Sequence, residues 1–170
     1  PGLLQPALES VSEVTRESCS ASILDGPEIV YIARSATKRI MSVGLNVGSR
    51  LPAYCTSMGR VLLAAEPVER QKSLLQQSTL KALTDKTLTD PARLLDELAR
   101  VKAQGYAYVD QELETGLCSL AVPVHSTKGE VVAAINVSTQ ANRMDASQIQ
   151  LTIRDALQKA AQGLAPMLLG

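Results

Sequence analysis

Three small polar residues sit inside apolar runs near the end of the chain. Ser119 lies in LCSLAVPVH, and Asn136 and Ser138 stand two apart in EVVAAINVST. Both runs read as strands, and strand side chains alternate between faces. Asn136 and Ser138 therefore share one face, and Leu117, Ser119 and Ala121 share one face of the neighbouring run. Hydroxyls and amides buried this way need partners. They can bond to backbone or a structural water, or they can converge on a polar ligand. A second candidate lies upstream in LPAYCTSMGRVLLAA, residues 51–65. There Thr56-Ser57 opens an apolar run that reads as a helix. The first amides of a helix have no intrahelical acceptors, and such an end suits a carboxylate.

Nucleophilic chemistry fits the sequence poorly. Cys55 and Ser57 lack a nearby base, because the one histidine, His125, borders a hairpin turn far along the chain. YCTS and TSMG do not match the strained G-x-S-x-G elbow. Cys118 and His125 are seven apart on one strand, an odd spacing that puts them on opposite faces. No H-E-x-x-H, paired C-x-x-C or glycine-rich phosphate loop occurs. Asp110, Glu112 and Glu114 read as a solvated acidic loop; Arg34, Arg39, Arg50 and Arg60 could meet an anionic ligand or sit on the surface, and most read as surface charges. No metal site, no cofactor and no enzyme activity is expected.

The elements that must position these groups follow from periodicity. Leu4, Leu8, Val11 and Val14 mark a helical face over 3–15. Asp25-Gly26-Pro27 turns one strand into the next, the second running through IVYIARS. A third strand is expected at 39–45 and a loop at 46–52. Helices follow over 56–65 and 67–76, then a polar stretch to 88. Asp90-Pro91 caps a helix that Gly105 ends. YAYVD is a short strand, and the two polar-bearing strands form a hairpin. A last helix spans 145–168. Short turns between strands imply an antiparallel sheet, hence an α+β fold.

Composition narrows the class. With 45% apolar and 20% charged residues, 170 residues suit one globular domain, residues 1–170. Zero net charge lacks the basic surplus of a nucleic-acid binder. Three widely spaced cysteines suit a reducing compartment, hence a cytoplasmic protein. No stretch approaches the ~20 apolar residues of a membrane span, so no membrane partner is expected. With no Phe and no Trp, the core must be aliphatic.

Two long segments, RIMSVGLNVGSRLPAYCTSMGRVLLAA and GYAYVDQELETGLCSLAVPVHSTKGEVVAAINVST, closely resemble the effector-binding domain of IclR-type bacterial transcription regulators. LPAYCTSMGRVLLA resembles the subgroup that controls protocatechuate and β-ketoadipate catabolism. The resemblance runs from about residue 5 to 168. It implies a GAF-like or PAS-like curved antiparallel sheet of about six strands flanked by helices. It implies a small organic acid effector, aromatic or keto, bound to control aromatic catabolism. It also implies a homodimer or homotetramer that reaches DNA only through an N-terminal winged helix-turn-helix, which is not in this sequence. The implied pocket holds Ser57, Met58, Gly59, Ser119, Asn136 and Ser138. Ile40, Val43, Leu51 and Leu117 would supply its apolar walls. Ser119 stands where some members carry cysteine, and Asn136 where some carry serine. Val109 stands where some carry an acidic residue, with Asp110 beside it. A small-molecule hydrolase and a plain oligomerisation module are the alternatives to a sensor.

Overall fold

The computed structural model describes residues 3–36, 45–143 and 145–167. Six strands form one curled antiparallel sheet. They are β1 (Ser18–Asp25), β2 (Glu28–Ser35), β3 (Arg50–Pro52), β4 (Ala107–Asp110), β5 (Leu117–His125) and β6 (Val131–Gln140). Their spatial order is β3-β2-β1-β6-β5-β4. The helices are α1 (Leu4–Thr15), α2 (Ser57–Ala64), α3 (Val68–Gln77), α4 (Pro91–Gln104), α5 (Ala146–Gln148) and α6 (Arg154–Leu164).

Local chemistry fixes most of these boundaries. Gly26 takes φ +60° in the turn between β1 and β2, a value only glycine adopts cheaply. The Asp90 side chain accepts the Arg93 amide at the start of α4, with Pro91 in the first turn, and Gly105 ends α4 at φ +83°. Asp145 and Gln148 form a reciprocal capping box at the start of α5.

Three expectations need correction. The buried face of α1 is Leu4, Leu8, Val11 and Thr15, while Val14 is exposed. The strand expected over 39–45 falls outside the described residues apart from Leu45, which is in no strand; Ile40 and Val43 lie outside them too. What is corrected is the loop reading of 46–52, a stretch that contains the edge strand β3. It pairs with β2 through Ile29 and Leu51. Arg50 pins it to Asp25 at 2.6 Å and Glu28 at 2.9 Å. Three residues ending in proline give too short a pattern to read, yet an edge tolerates proline. Finally, the last helix is interrupted by a π-turn over Ile149–Ile153. Its buried residues Ile149, Ile153, Leu157 and Ala161 recur every four positions. An α-helix repeats every 3.6, and the wider π-turn takes up the drift.

The sheet carries helices on both faces. On one, α1 and α6 close over Leu120, Val122, Ile135 and Val137 in an aliphatic cluster. On the other, α2 and α4 pack Met58, Val61, Leu63 and Leu98 against Ile29, Tyr31, Ala121 and Ala134. The second face is where the polar residues gather.

Candidate functional site

Every residue of α2 is buried. Its N-cap, Thr56, accepts the Gly59 amide at 3.2 Å and donates to the Pro52 carbonyl at 2.9 Å. Gly59 is thereby committed to the cap. A Cβ there would collide with the Ala53 backbone and with Thr56 Oγ1. The glycine serves the fold of the preceding loop and does not line the cavity described below. Among the described residues, no acceptor is assigned to the amides of Ser57 and Met58. Two helix-end donors thus remain.

Below this helix end the strands present a connected polar floor. Ser57 Oγ and Ser119 Oγ are 2.5 Å apart. Asn136 Nδ2 donates to Ser119 Oγ at 3.1 Å and Ser138 Oγ at 3.3 Å, and its Oδ1 accepts the Ser20 amide at 3.0 Å. Arg34 Nη1 donates to Ser20 Oγ at 3.1 Å. Buried Ser22 donates to the Met58 thioether at 3.2 Å. Asn136 is therefore a brace between β1, β5 and β6, with its hydrogen-bonding capacity used inside the protein.

Arg34 reaches this floor because of a β-bulge. Simple alternation puts Tyr31 on one face of β2 and Arg34 on the other. In the structure Ala21 pairs with Ala33 and Ser22 with Tyr31, so Ile32 is an extra residue. The bulge shifts the pleat by one position. Ala33 joins the α1–α6 cluster, Tyr31 joins the α2 cluster, and Arg34 pairs with Ser20 beside Asn136.

Between floor and helix lies a cavity of about 50 Å³. One water needs roughly 10–15 Å³ on the same measure, so the space holds a few waters and is not packed solid. Ser57, Met58, Ser119, Asn136 and Ser138 line it, with Val109 and Leu117. Leu51 and Asp110 do not. Leu51 packs beneath α2. Burial raises the affinity of Asp110 for protons, but hydrogen bonds from Gln111, Cys118 and Lys86 outweigh this and lower its pKa. Asp110 pairs with Lys86 at 3.3 Å.

Arg34, one of the four arginines that could meet an anion, lines the cavity, and sequence reasoning missed other lining groups, Tyr31, Glu17 and Arg143 among them. Tyr31 is 4% exposed. Burial pushes its hydroxyl up to about 12, with Arg34 opposing, so it is a neutral donor at physiological pH. Among the described residues its hydroxyl has no partner, and Arg34 has no carboxylate partner. Glu17 and Arg143 form an ion pair at 2.7 Å. No periodic signal marks these two, since they stand where α1 leads into β1 and just beyond β6.

The remaining reactive groups are structural or solvated. Burial pushes Cys55 to about 12 and raises Cys118, which leaves both as neutral thiols. His125 is exposed at the end of β5. Arg60 departs from its expected place on the surface: it is 2% exposed and grips Glu112 through both terminal nitrogens, at 2.6 and 2.8 Å. Glu112 also accepts the Leu88 amide at 2.8 Å. The acidic loop is thus tied down through Glu112. Among the described residues, no group of three or more His, Cys, Asp or Glu is placed to hold a metal.

The chain is similar to known proteins over nearly its whole length. Residues 3–165 match the family described as bacterial transcriptional regulator IclR C-terminal. The Pca regulon regulatory protein of Pseudomonas putida is 46% identical over 167 residues, 98% of this chain and 57% of that protein. The Pca operon regulatory protein of Acinetobacter baylyi is 37% identical over 172 residues, 99% of this chain and 62% of that protein. The chain thus spans about three fifths of these relatives. Among solved structures, the inducer-binding domain of the transcription factor PobR from Acinetobacter, a double mutant in complex with 3-hydroxybenzoic acid, superposes with a TM-score of 0.93. It is 32% identical, over 99% of this chain and 98% of that one.

Proposed function

The chain belongs to the IclR family of bacterial transcriptional regulators, as their C-terminal domain, and from that premise we propose that its cavity senses a small organic acid, aromatic or keto, such as protocatechuate or β-ketoadipate. The ligand carboxylate docks between the Ser57 and Met58 amides and the hydroxyls of Ser119 and Ser138. Arg34 supplies the counter-charge, and Met58, Val109 and Leu117 contact the apolar body. In the whole regulator, a homodimer or homotetramer, this event controls genes of aromatic catabolism through a DNA-binding domain outside this chain.

One observation carries the reading. A hollow beneath the α2 tip brings together donors without partners among the described residues, two helix-end amides and the Tyr31 hydroxyl, with the Arg34 guanidinium, which bonds Ser20 Oγ and has no carboxylate partner there. Each charge-assisted hydrogen bond to them contributes about 1.5–3 kcal/mol. Micromolar affinity corresponds to about 8 kcal/mol, so two or three such bonds with apolar contacts suffice. The cavity's size adds a consequence. A cavity of roughly 150 Å³ admits a benzene ring, and this one measures about 50 Å³. A ring acid must widen it, and binding that favours a wider state shifts the population toward that state.

The test is a thermal-shift screen of protocatechuate, 4-hydroxybenzoate, β-ketoadipate, pyruvate and glyoxylate, repeated on Arg34→Gln, Ser119→Ala and Asn136→Leu. At a hundredfold excess over its dissociation constant a ligand adds about 2.7 kcal/mol. At about 2–4 °C per kcal/mol for a chain of this size, at least one acid raises Tm by roughly 5–10 °C in the wild type and by little in Arg34→Gln. No shift with any acid, or equal shifts in all variants, overturns the reading.

A further inference from the structure

We propose that Arg143 is a second ligand-reading residue of this cavity and that buried Glu17 holds it in position, so that the site favours acids carrying a second polar group at the far end from the carboxylate. The inference rests on the sensor reading above and extends it to the class of ligand.

Glu17 is 3% exposed. Its Oε2 accepts Thr139 Oγ1 at 2.7 Å and Arg143 Nε at 2.7 Å. All three residues line the cavity. A carboxylate buried this deeply is tolerated when a cation and hydrogen bonds compensate it. Arg143 does so with Nε alone. Among the described residues its two terminal nitrogens have no partner, although these are the pair with which a guanidinium grips an oxygen acceptor in bidentate fashion. Its side chain is 27% exposed, so it borders both cavity and solvent.

The backbone around Glu17 is fixed. Arg16 ends α1 at φ +62°, and the Glu17 amide donates to Thr15 Oγ1 at 3.3 Å. Glu17 therefore cannot follow Arg143 outward without disturbing the end of α1. This rigidity makes Arg143 a directed donor and not a loose surface charge. The residue lies beyond the end of β6, past Ser138 and Thr139, whereas the start of α2 meets the floor at Ser57 and Ser119. A ligand whose carboxylate occupies the α2 end presents its other end to Arg143. A ring hydroxyl or a second carboxylate fits there; a bare ring or alkyl end leaves the guanidinium unmatched.

The experiment is calorimetric titration of the 170-residue chain with two matched pairs of probes: 4-hydroxybenzoate with benzoate, and adipate with hexanoate. The wild type prefers the two-headed member of at least one pair by about tenfold, the size of one good hydrogen bond. Arg143→Gln removes that preference and leaves the one-headed member within about twofold. Because the single change strands a buried carboxylate, the paired variant Glu17→Gln/Arg143→Gln is measured beside it. That variant removes both charges together, melts close to the wild type and loses the preference as well. A merely structural role for Arg143 would weaken both members of a pair equally. Wild type that binds these acids without preference, or a paired variant that retains the preference, overturns the inference. Absence of binding by all four probes overturns the sensor reading instead, and the inference with it.

Discussion

On the α1–α6 face, Leu120, Ile135 and Val137 meet Leu8, Ile153 and Leu157 in an aliphatic cluster. On the α2 face the same strands present Ala121 and Ala134 under the helix, then Ser119, Asn136 and Ser138 beyond its tip. The alternation along each strand is equally regular on both faces. What differs is how they are finished. The first is closed by apolar side chains whose burial is its own reward. The second is closed by hydrogen bonds among small polar groups, and it stops short of closing completely. One face is thus a dry core, and the other holds a cavity bounded by polar groups.

That contrast can be broken at several points. The largest effect is expected on the polar side, at the clamp beside the cavity. Glu112→Ala leaves Arg60 buried and unpaired, which costs about 3–5 kcal/mol, read as a lower urea midpoint. On the apolar side, Leu120→Ala opens a cavity in the dry cluster at about 2–5 kcal/mol and leaves ligand affinity within a few fold. Gly59→Ala drives a methyl into the Ala53 backbone and costs about 1–3 kcal/mol or more. Ser119→Ala removes a floor hydroxyl at about 1 kcal/mol and weakens acid binding. Tyr31→Phe has the smallest effect on stability, within about 0.5 kcal/mol, because the hydroxyl has no partner to lose among the described residues. It lowers ligand affinity nonetheless. Loss of stability in Tyr31→Phe comparable to that in Ser119→Ala would show that the two polar positions are not distinct in kind.

The comparison also explains what could be read from the sequence. Elements with whole periods and chemical punctuation were legible: the Asp25-Gly26 hairpin, the α4 helix between Asp90 and Gly105, and the two strands carrying Ser119, Asn136 and Ser138. Alternation put Asn136 and Ser138 on one face of their strand, and the pairing of Ser119 with Ser138 brings the third residue beside them. The misses come where one residue changes the count. The extra Ile32 in β2 turns Arg34 inward, and no pattern in IVYIARS announces it. The π-turn in the last helix is likewise a single wider turn. Arg60 and Glu112 are 52 positions apart, and only the fold reveals that they meet. Glu17 and Arg143 are separated by 126. The resemblance puts Gly59 in the pocket, whereas its missing side chain makes room for the Ala53 backbone.

The account depends on two unsatisfied amides at the tip of α2. The most direct measurement is an NMR titration of the 15N-labelled chain with protocatechuate and 4-hydroxybenzoate. The account predicts that the Ser57 and Met58 amide signals move furthest, followed by Ser119 and Ser138, with saturation at one equivalent, and that the Gly59 amide, already bonded to Thr56, moves less. Largest movements at residues that do not line the cavity, such as His125 at the end of β5, or uniform small shifts that do not saturate, would contradict it.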